Sequence, residues 1–352
     1  MCNIAAYAGE RDAAPILIEM MKKEEGWGGG YYSGLATIHE GRIYYAKLTG
    51  DMDRLTALTN AASLPGKIGI IHSRSKSGGD DEWAHPFVAS SPRDTRQLRL
   101  AYVANGSYGI FKTEEEAAAR NALAGRLADA GYVMKSRCAT QVGHYPTLPD
   151  GTSAHMSDVM CQLIQANIDR GDEPYAAMSR AFCEMPSEIV GLAISLDDPD
   201  AILWSRVNQP TMLGYAPHGV YLATTALAFP RDAESLTLLP ALSGGRVTRE
   251  GFSSFRYPDP PCTVAPITPR VWREAYTVLE HVLATAQKPV GIGTASAAIR
   301  PLFEAADCTP STILAYNIYD SFDREGRLAV TKTRVPGMRP DLDAPHLAAK
   351  LK

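Results

Sequence analysis

The amino-acid sequence predicts an α+β fold in which antiparallel sheets are covered by helices. Over about the first 240 residues, short apolar runs typical of strands alternate with amphipathic helical segments. The strand candidates follow one another closely and the helices come in blocks, which favours locally paired strands over a doubly wound parallel sheet. No G-x-G-x-x-G motif opens a helix and no P-loop is present, so the common nucleotide-binding folds are not expected.

The predicted elements begin with a strand at residues 4–8 and a helix at 15–25, which a proline opens. The best-marked helix covers residues 113–130, because Thr113 is a good N-cap, three glutamates suit the positive end and Gly131 ends it. The other elements predicted in this part are strands at 34–38, 42–48, 66–72, 98–104, 189–196, 201–205, 211–215 and 220–223, helices at 51–62, 157–169 and 174–185, and a loop at 136–156.

The length of 352 residues exceeds what one typical domain requires. We predict a first domain at residues 1–250, a Pro-rich linker at 251–268 and a small, mainly helical unit at 269–352. Three helices are expected in the last unit, at 270–287, at 295–306 and after residue 309. A turn and a strand at 323–335 would follow, as in a winged-helix unit.

Composition excludes several classes of protein. The chain is 45% hydrophobic, which excludes global disorder, and its net charge of −4 gives no sign of a protein built to neutralise phosphates, so nucleic-acid binding is not expected. No run reaches the roughly 18 apolar residues that span a bilayer, and the N-terminus lacks a signal-peptide pattern, so we expect a cytoplasmic protein. The six cysteines show neither C-x-x-C nor zinc-site spacing, and we expect no metal and no cofactor.

Cys2 directly follows the initiator methionine, and this position offers a specific chemistry. Removal of Met1, expected when the second residue is small, would leave a thiol and a free α-amine on one residue. An α-amine with a pKa of about 7.7–8.0 is able to accept the proton of its own thiol, so no catalytic histidine is required. The alternative is a buried cysteine at the edge of the first strand.

Six short motifs between residues 1 and 230 support the catalytic interpretation. In chain order they are Met1-Cys-Asn-Ile-Ala-Ala-Tyr-Ala-Gly9, Gly30-Tyr-Tyr-Ser-Gly-Leu-Ala36, Ile68-Gly-Ile-Ile-His-Ser-Arg74, Ala84-His-Pro86, Val103-Ala-Asn-Gly106 and Ser157-Asp158. Together they resemble the motifs of class II glutamine amidotransferases, N-terminal-nucleophile hydrolases typified by the glutaminase half of glucosamine-6-phosphate synthase. The resemblance implies a four-layer αββα sandwich.

The resemblance also implies roles for five residues. Cys2 would attack the carboxamide carbon, with Asn105 and the backbone N–H of Gly106 as the oxyanion hole. Arg74 would bind the α-carboxylate of glutamine and Asp158 its α-ammonium group. Ser77 and His85 complete the predicted substrate-binding set. These residues also have structural interpretations: a hairpin turn for the Asn-Gly pair, exposed charges for Arg74 and Asp158, and for His85 a structural histidine with its hydrogen bonds satisfied.

Several segments depart from the family pattern. The family continues after the arginine with Trp-Ala-Thr-His-Gly, whereas this chain has Ser75-Lys-Ser-Gly-Gly79, and Asn3 replaces the usual glycine after the nucleophile. Residues 137–156 form an insertion that contains His144, Tyr145 and His155. The tail of about 100 residues is too short for the isomerase domains of the synthase, so any ammonia acceptor is expected on a separate subunit.

Three hypotheses follow. The first is a glutaminase that hydrolyses the γ-amide through a Cys2 thioester and feeds ammonia to a synthase subunit, as a homo-oligomer or alone. The second is a stand-alone amidase for another γ-glutamyl or small amide substrate. The third is a ligand-sensing regulator whose C-terminal unit binds nucleic acid; basic residues in its wing region motivate it. These are Arg324, Arg327, Lys332, Arg334 and Arg339.

Overall fold

The computed structural model describes residues 2–106, 113–139, 145–186 and 188–352, without the side chains of Glu188 and Ser235. The strands in these ranges are β1 (Asn3–Gly9), β2 (Tyr32–His39), β3 (Arg42–Thr49), β4 (Ile68–Arg74), β5 (Phe87–Ser91), β6 (Asp94–Gly106), β7 (Glu188–Ser195), β8 (Asp198–Arg206), β9 (Met212–Ala216), β10 (Gly219–Ala223), β11 (Glu234–Leu238), β12 (Ser243–Thr248), β13 (Gly251–Arg256), β14 (Leu328–Pro336) and β15 (Asp343–Leu351). The helices are α1 (Ala13–Glu24), α2 (Met52–Leu58), α3 (Glu114–Asp129), α4 (Met156–Asp169), α5 (Pro174–Glu184), α6 (Pro269–Thr285), α7 (Ile292–Ala305) and α8 (Ile313–Arg324).

Two antiparallel sheets pack face to face and carry helices on their outer sides. The first sheet has the order β11-β9-β10-β1-β4-β2-β3, and the second has the order β13-β12-β8-β7-β6-β5. Apolar side chains that alternate along the strands, such as Ile4, Ile70 and Val103, fill the space between the sheets. Helix α1 covers the first sheet, while α4 and α5 cover the second. The predicted four-layer αββα sandwich is therefore confirmed.

Some elements differ from the sequence prediction. The strands β5, β11, β12, β13 and β15 were not predicted, because glycines and exposed polar residues break the apolar alternation in several of them. The first residues of the predicted linker form β13, an edge strand paired with β12, so only residues 257–268 lack regular structure. Helix α2 ends at Leu58, before the predicted residue 62. Helix α3 has the capping box that Thr113 and Glu116 form.

The C-terminal residues form three helices and a hairpin around a small core of their own. Helices α6, α7 and α8 precede the β14–β15 hairpin, the order expected for a winged-helix unit. Seven residues of α8 are buried, and Trp27 from the first domain joins this core. Helix α8, which corresponds to the helix that contacts nucleic acid in a winged-helix protein, is thus largely covered by the protein itself. The domain boundaries stay a prediction.

The basic residues of the wing region all have acidic partners within the chain. Arg334 lies 2.6 Å from the Asp51 carboxylate and Lys332 lies 3.9 Å from Glu25, so β14 docks on the first domain. The remaining pairs are Arg324 with Asp320, Arg327 with Glu280 and Glu325, and Arg339 with Asp341. The regulator hypothesis therefore loses the feature that motivated it.

Replacing Arg334 by methionine should lower the free energy of unfolding by about 1–3 kcal/mol. Asp51 is 3% exposed and also caps α2, so the change leaves a buried carboxylate without its cationic partner. Arg339→Met is the matched control, because the pair of Arg339 with Asp341 is exposed and worth at most about 1 kcal/mol. Urea denaturation measures both changes. Equal losses would mean that Arg334 does not hold the two units together.

No helix among the described residues is long and apolar enough to cross a membrane.

Candidate active site

Cys2 lies at the start of β1, beside the end of β4. The antiparallel register pairs Asn3 with Ser73, which brings the residue after Arg74 next to Cys2. The backbone N–H of Ser75 donates to the Cys2 sulfur at 3.3 Å, and the Ser75 hydroxyl lies 3.4 Å from the same atom. Cys2 is half-buried. The sulfur thus has an N–H donor suited to a thiolate and retains an exposed side for a substrate.

Asn105 contacts the main chain of Cys2 from the second sheet. It stands near the end of β6, is fully buried, and donates from Nδ2 to the Cys2 carbonyl oxygen at 2.9 Å. A carboxamide nitrogen carries two protons, so one N–H remains for another acceptor. The pairing of β6 with β7 is irregular between Asn105 and Gly106, and Gly106 is exposed. The structure therefore brings Cys2 and Asn105 together, with Gly106 adjoining them.

Arg74 is buried and holds the loop that follows it. Its guanidinium donates to the carbonyl oxygens of Gly78 at 3.3 Å and Trp83 at 3.0 Å, and to the Tyr145 hydroxyl at 3.4 Å. The same group lies over the Tyr32 ring, 4.7 Å from its centroid. Arg74 thus binds groups of the protein, and the residue that follows it, Ser75, contacts Cys2.

The loop at residues 75–83 packs against aromatic side chains. The Tyr32 hydroxyl lies 3.1 Å from each of the Gly78 and Gly79 carbonyl oxygens. A Cβ at Gly79 would stand 2.2 Å from the Trp83 ring, and its φ of +93° also favours glycine. Ser77 donates to the Ser75 carbonyl oxygen at 3.3 Å. Ser77 therefore belongs to the internal bonding of this loop.

Three buried histidines lie close to Arg74. The rings of His72 and His85 stack with centroids 3.9 Å apart, and His155 lies 5.4 Å from His85. Burial lowers the pKa of His72 to about 3 and holds the pKa values of His85 and His155 well below their usual range. These side chains are neutral at pH 7. Both ring nitrogens of His85 lack hydrogen-bond partners among the described residues.

Asp158 makes three hydrogen bonds to protein groups. Its carboxylate accepts from the Ser136 N–H and hydroxyl at 2.8 Å each, and from the Gln162 amide at 3.0 Å. The side chain is 1% exposed, and burial is the main cause that raises its pKa. Asp158 therefore ties the segment before α4 to that helix. Its role toward a substrate stays a prediction.

Tyr32 and Trp83 are site residues that the sequence analysis did not select. Tyr32 belongs to the second family motif, and Trp83 directly precedes the Ala84-His-Pro86 motif. The motifs were therefore the sequence signal that could have identified both residues. Tyr145 and His155, from the predicted insertion, contact Trp83 with ring centroids 4.9 and 5.2 Å away. His144 of that insertion lies outside the described residues.

Comparisons with known proteins find relatives that match about seven tenths of this chain. Curated relatives include the glutamine–fructose-6-phosphate aminotransferases (isomerizing) of Zymomonas mobilis, 26% identical over 253 residues, and of Pyrococcus horikoshii, 25% identical over 255 residues. These matches cover 71% and 72% of this chain but only 36% and 37% of the relatives. No family model matches the chain.

Two solved structures share the fold. One is the glutamine phosphoribosylpyrophosphate amidotransferase of B. subtilis complexed with ADP and GMP, with a TM-score of 0.59 at 15% identity over 88% of this chain and 65% of that one. The other is described as the allosteric regulatory enzyme of purine biosynthesis, with a TM-score of 0.60 at 14% identity over 96% of this chain and 67% of that one. At these identities the two structures establish the fold.

The four-layer sandwich, with a cysteine directly before its first strand, defines the fold class, which is that of the N-terminal-nucleophile hydrolases. Within that fold class, the chain resembles in sequence the relatives described as glutamine–fructose-6-phosphate aminotransferases, and in fold the glutamine phosphoribosylpyrophosphate amidotransferase.

Proposed function

We propose that the protein hydrolyses the side-chain amide of glutamine through a thioester at Cys2, once Met1 has been removed. The observation that carries this proposal is the position of the Cys2 sulfur, which accepts the Ser75 N–H at 3.3 Å while Asn105 binds the carbonyl of the same residue at 2.9 Å. A nucleophile must be held in a fixed position, and the hydrogen-bond donors around it must be in place before the reaction begins.

The proposed reaction has two stages. In the first, the thiol gives its proton to the α-amine of Cys2, and the sulfur bonds to the amide carbon of glutamine. The second N–H of the Asn105 amide and the Gly106 N–H stabilise the oxyanion. The C–N bond then breaks, the amine returns the proton to the leaving nitrogen, and ammonia departs. In the second stage water adds to the thioester carbon, which gives glutamate and restores the thiol.

A second candidate substrate class is a small amide other than glutamine. The observation that favours it concerns Arg74 and Asp158, the two predicted ligands of the amino-acid head group. Both side chains form hydrogen bonds with groups of the protein instead. A panel of glutamine, γ-glutamyl amides and amides without an amino-acid head distinguishes the candidates. Turnover of the last group without glutamate release from glutamine would favour the alternative.

The proposal also includes an acceptor for the ammonia. A synthase that takes up the ammonia is the expected partner, because the relatives are described as aminotransferases. Binding to a candidate synthase, and stimulation of glutamate release by its acceptor substrate, are the measurements that test this partner.

A glutamine-analogue diazoketone should alkylate Cys2 and leave the five other cysteines unmodified. The reagent combines an electrophile with the glutamine head group, so labelling reports both the nucleophile and the substrate class. Cys138, Cys183 and Cys262 are half-buried like Cys2 and serve as internal controls for general thiol reactivity. Peptide mass spectrometry locates the label. Equal modification of these cysteines, or labelling that excess glutamine does not prevent, would contradict the proposal.

A further inference from the structure

A cluster of buried polar side chains lies on the helix-covered side of the first sheet, near the nucleophile. It consists of Asn3 from β1, Glu24 from the end of α1 and Tyr316 from α8, and we call it the Glu24 cluster. All three side chains are 0% exposed. The Tyr316 hydroxyl interacts with Asn3, and its electrostatic neighbours include Glu24 and Cys2. The cluster therefore joins the C-terminal unit to the residues around the nucleophile.

The polar atoms of this cluster lack hydrogen bonds of normal geometry in the described structure. They are both carboxylate oxygens of Glu24, the amide oxygen and nitrogen of Asn3, and the Tyr316 hydroxyl. Buried polar atoms are almost always paired, and several atoms without a well-formed hydrogen bond in one place indicate that a small polar species belongs there. Four of the five atoms are oxygens, so the cluster is rich in acceptors.

Glu24 also has no cationic partner among the residues that the structure describes. The neighbouring lysines are bound elsewhere, Lys22 to Asp53 at 2.7 Å and Lys23 to Glu19 at 2.9 Å. The backbone N–H of Thr225 is the one group of the described structure that favours the charged form of Glu24. A buried carboxylate needs either a proton or a cation to balance its charge.

We propose that Asn3, Glu24 and Tyr316 form a binding site for a small cation with N–H donors, namely ammonium. The choice of ammonium rests on the proposed function, because amide hydrolysis at Cys2 converts glutamine and water into glutamate and ammonium. The carboxylate, the Asn3 amide oxygen and the Tyr316 hydroxyl are acceptors that suit its N–H groups. Burial raises the pKa of Glu24, so ammonium enters as the carboxyl group releases its proton to solvent.

The site depends on the C-terminal unit, since Tyr316 belongs to α8 while Asn3 and Glu24 belong to the first domain. This dependence ties the C-terminal unit to the site that we propose for the nitrogen product. Replacing Tyr316 by phenylalanine removes one acceptor and should weaken ammonium binding. Tyr319→Phe is the matched control, because the Tyr319 hydroxyl donates to Val290 within the C-terminal unit.

Thermal unfolding of the full chain tests the proposal. Ammonium chloride should raise the midpoint of the wild-type protein by about 2 °C or more above that in sodium chloride of equal ionic strength. Glu24→Gln should lose this shift, and Glu19→Gln, an exposed change on the same helix, should keep it. The wild-type comparison needs no variant, so it decides the outcome even if Glu24→Gln folds poorly.

Three results would overturn the proposal: equal midpoints for the wild-type protein in the two salts, an equal shift in potassium chloride, or a shift that Glu24→Gln retains. The shift should persist in Cys2→Ala, which removes the nucleophile and leaves the cluster intact. A failed glutaminase assay with a preserved ammonium shift would therefore contradict the proposed function alone. An active enzyme without the shift would contradict the ammonium site alone.

Discussion

Replacement of Cys2 by alanine should reduce glutamate release from glutamine by at least about 10⁴-fold. The change removes the sulfur that we propose forms the thioester. No other cysteine among the described residues lies at this site, since Cys161 and Cys308 are buried in cores and the others stand elsewhere in the chain. The initial rate of glutamate formation at saturating glutamine measures the effect.

Cys262→Ala is the matched control, because Cys262 is half-buried like Cys2 but lies in the irregular segment after the second sheet. Its activity should match that of the wild type. Activity of the wild-type protein should also follow the fraction of chains without Met1, as counted by intact mass, because an acylated amine cannot serve as the base. Substantial activity in Cys2→Ala, or in protein that retains Met1, would rule out the mechanism.

The main features of the sandwich and the centre of the site were predictable because they depend on local sequence. Apolar alternation marks β1 and β4, and their antiparallel register places Cys2 against Ser75. The Asn-Gly pair at the end of β6 reaches the same place from the second sheet. These residues lie at strand ends, so the motifs that contain them also indicate where they lie in the fold.

The surroundings of the site were not predictable in the same way. Arg74 and Asp158 were expected to face a substrate, but their partners Trp83, Tyr145 and Ser136 come from loops whose paths no periodicity specifies. The meeting of Glu24 with Tyr316 likewise joins residues nearly 300 positions apart. Such contacts result from tertiary packing, and a single sequence carries no local signal for them.

The second large effect is expected at Trp83. Its side chain is 0% exposed, and its ring contacts Tyr145 and His155, with the Arg74 guanidinium 5.9 Å from its centroid. Replacement by alanine removes these contacts and the support for Gly79, and should lower the free energy of unfolding by about 3–5 kcal/mol.

The same change should raise KM for glutamine more than it lowers kcat, because it loosens the loop after Arg74 without altering Cys2 or Asn105. Trp272→Ala is the control: Trp272 is 39% exposed on α6, and its loss should cost less than about 1 kcal/mol and leave KM unchanged. Urea denaturation and steady-state kinetics measure the two variants. If Trp83→Ala destabilised the protein but left KM unchanged, the tryptophan would support the fold and not the substrate site. Trp83→Phe, which keeps an aromatic ring against Tyr145, should restore part of both losses.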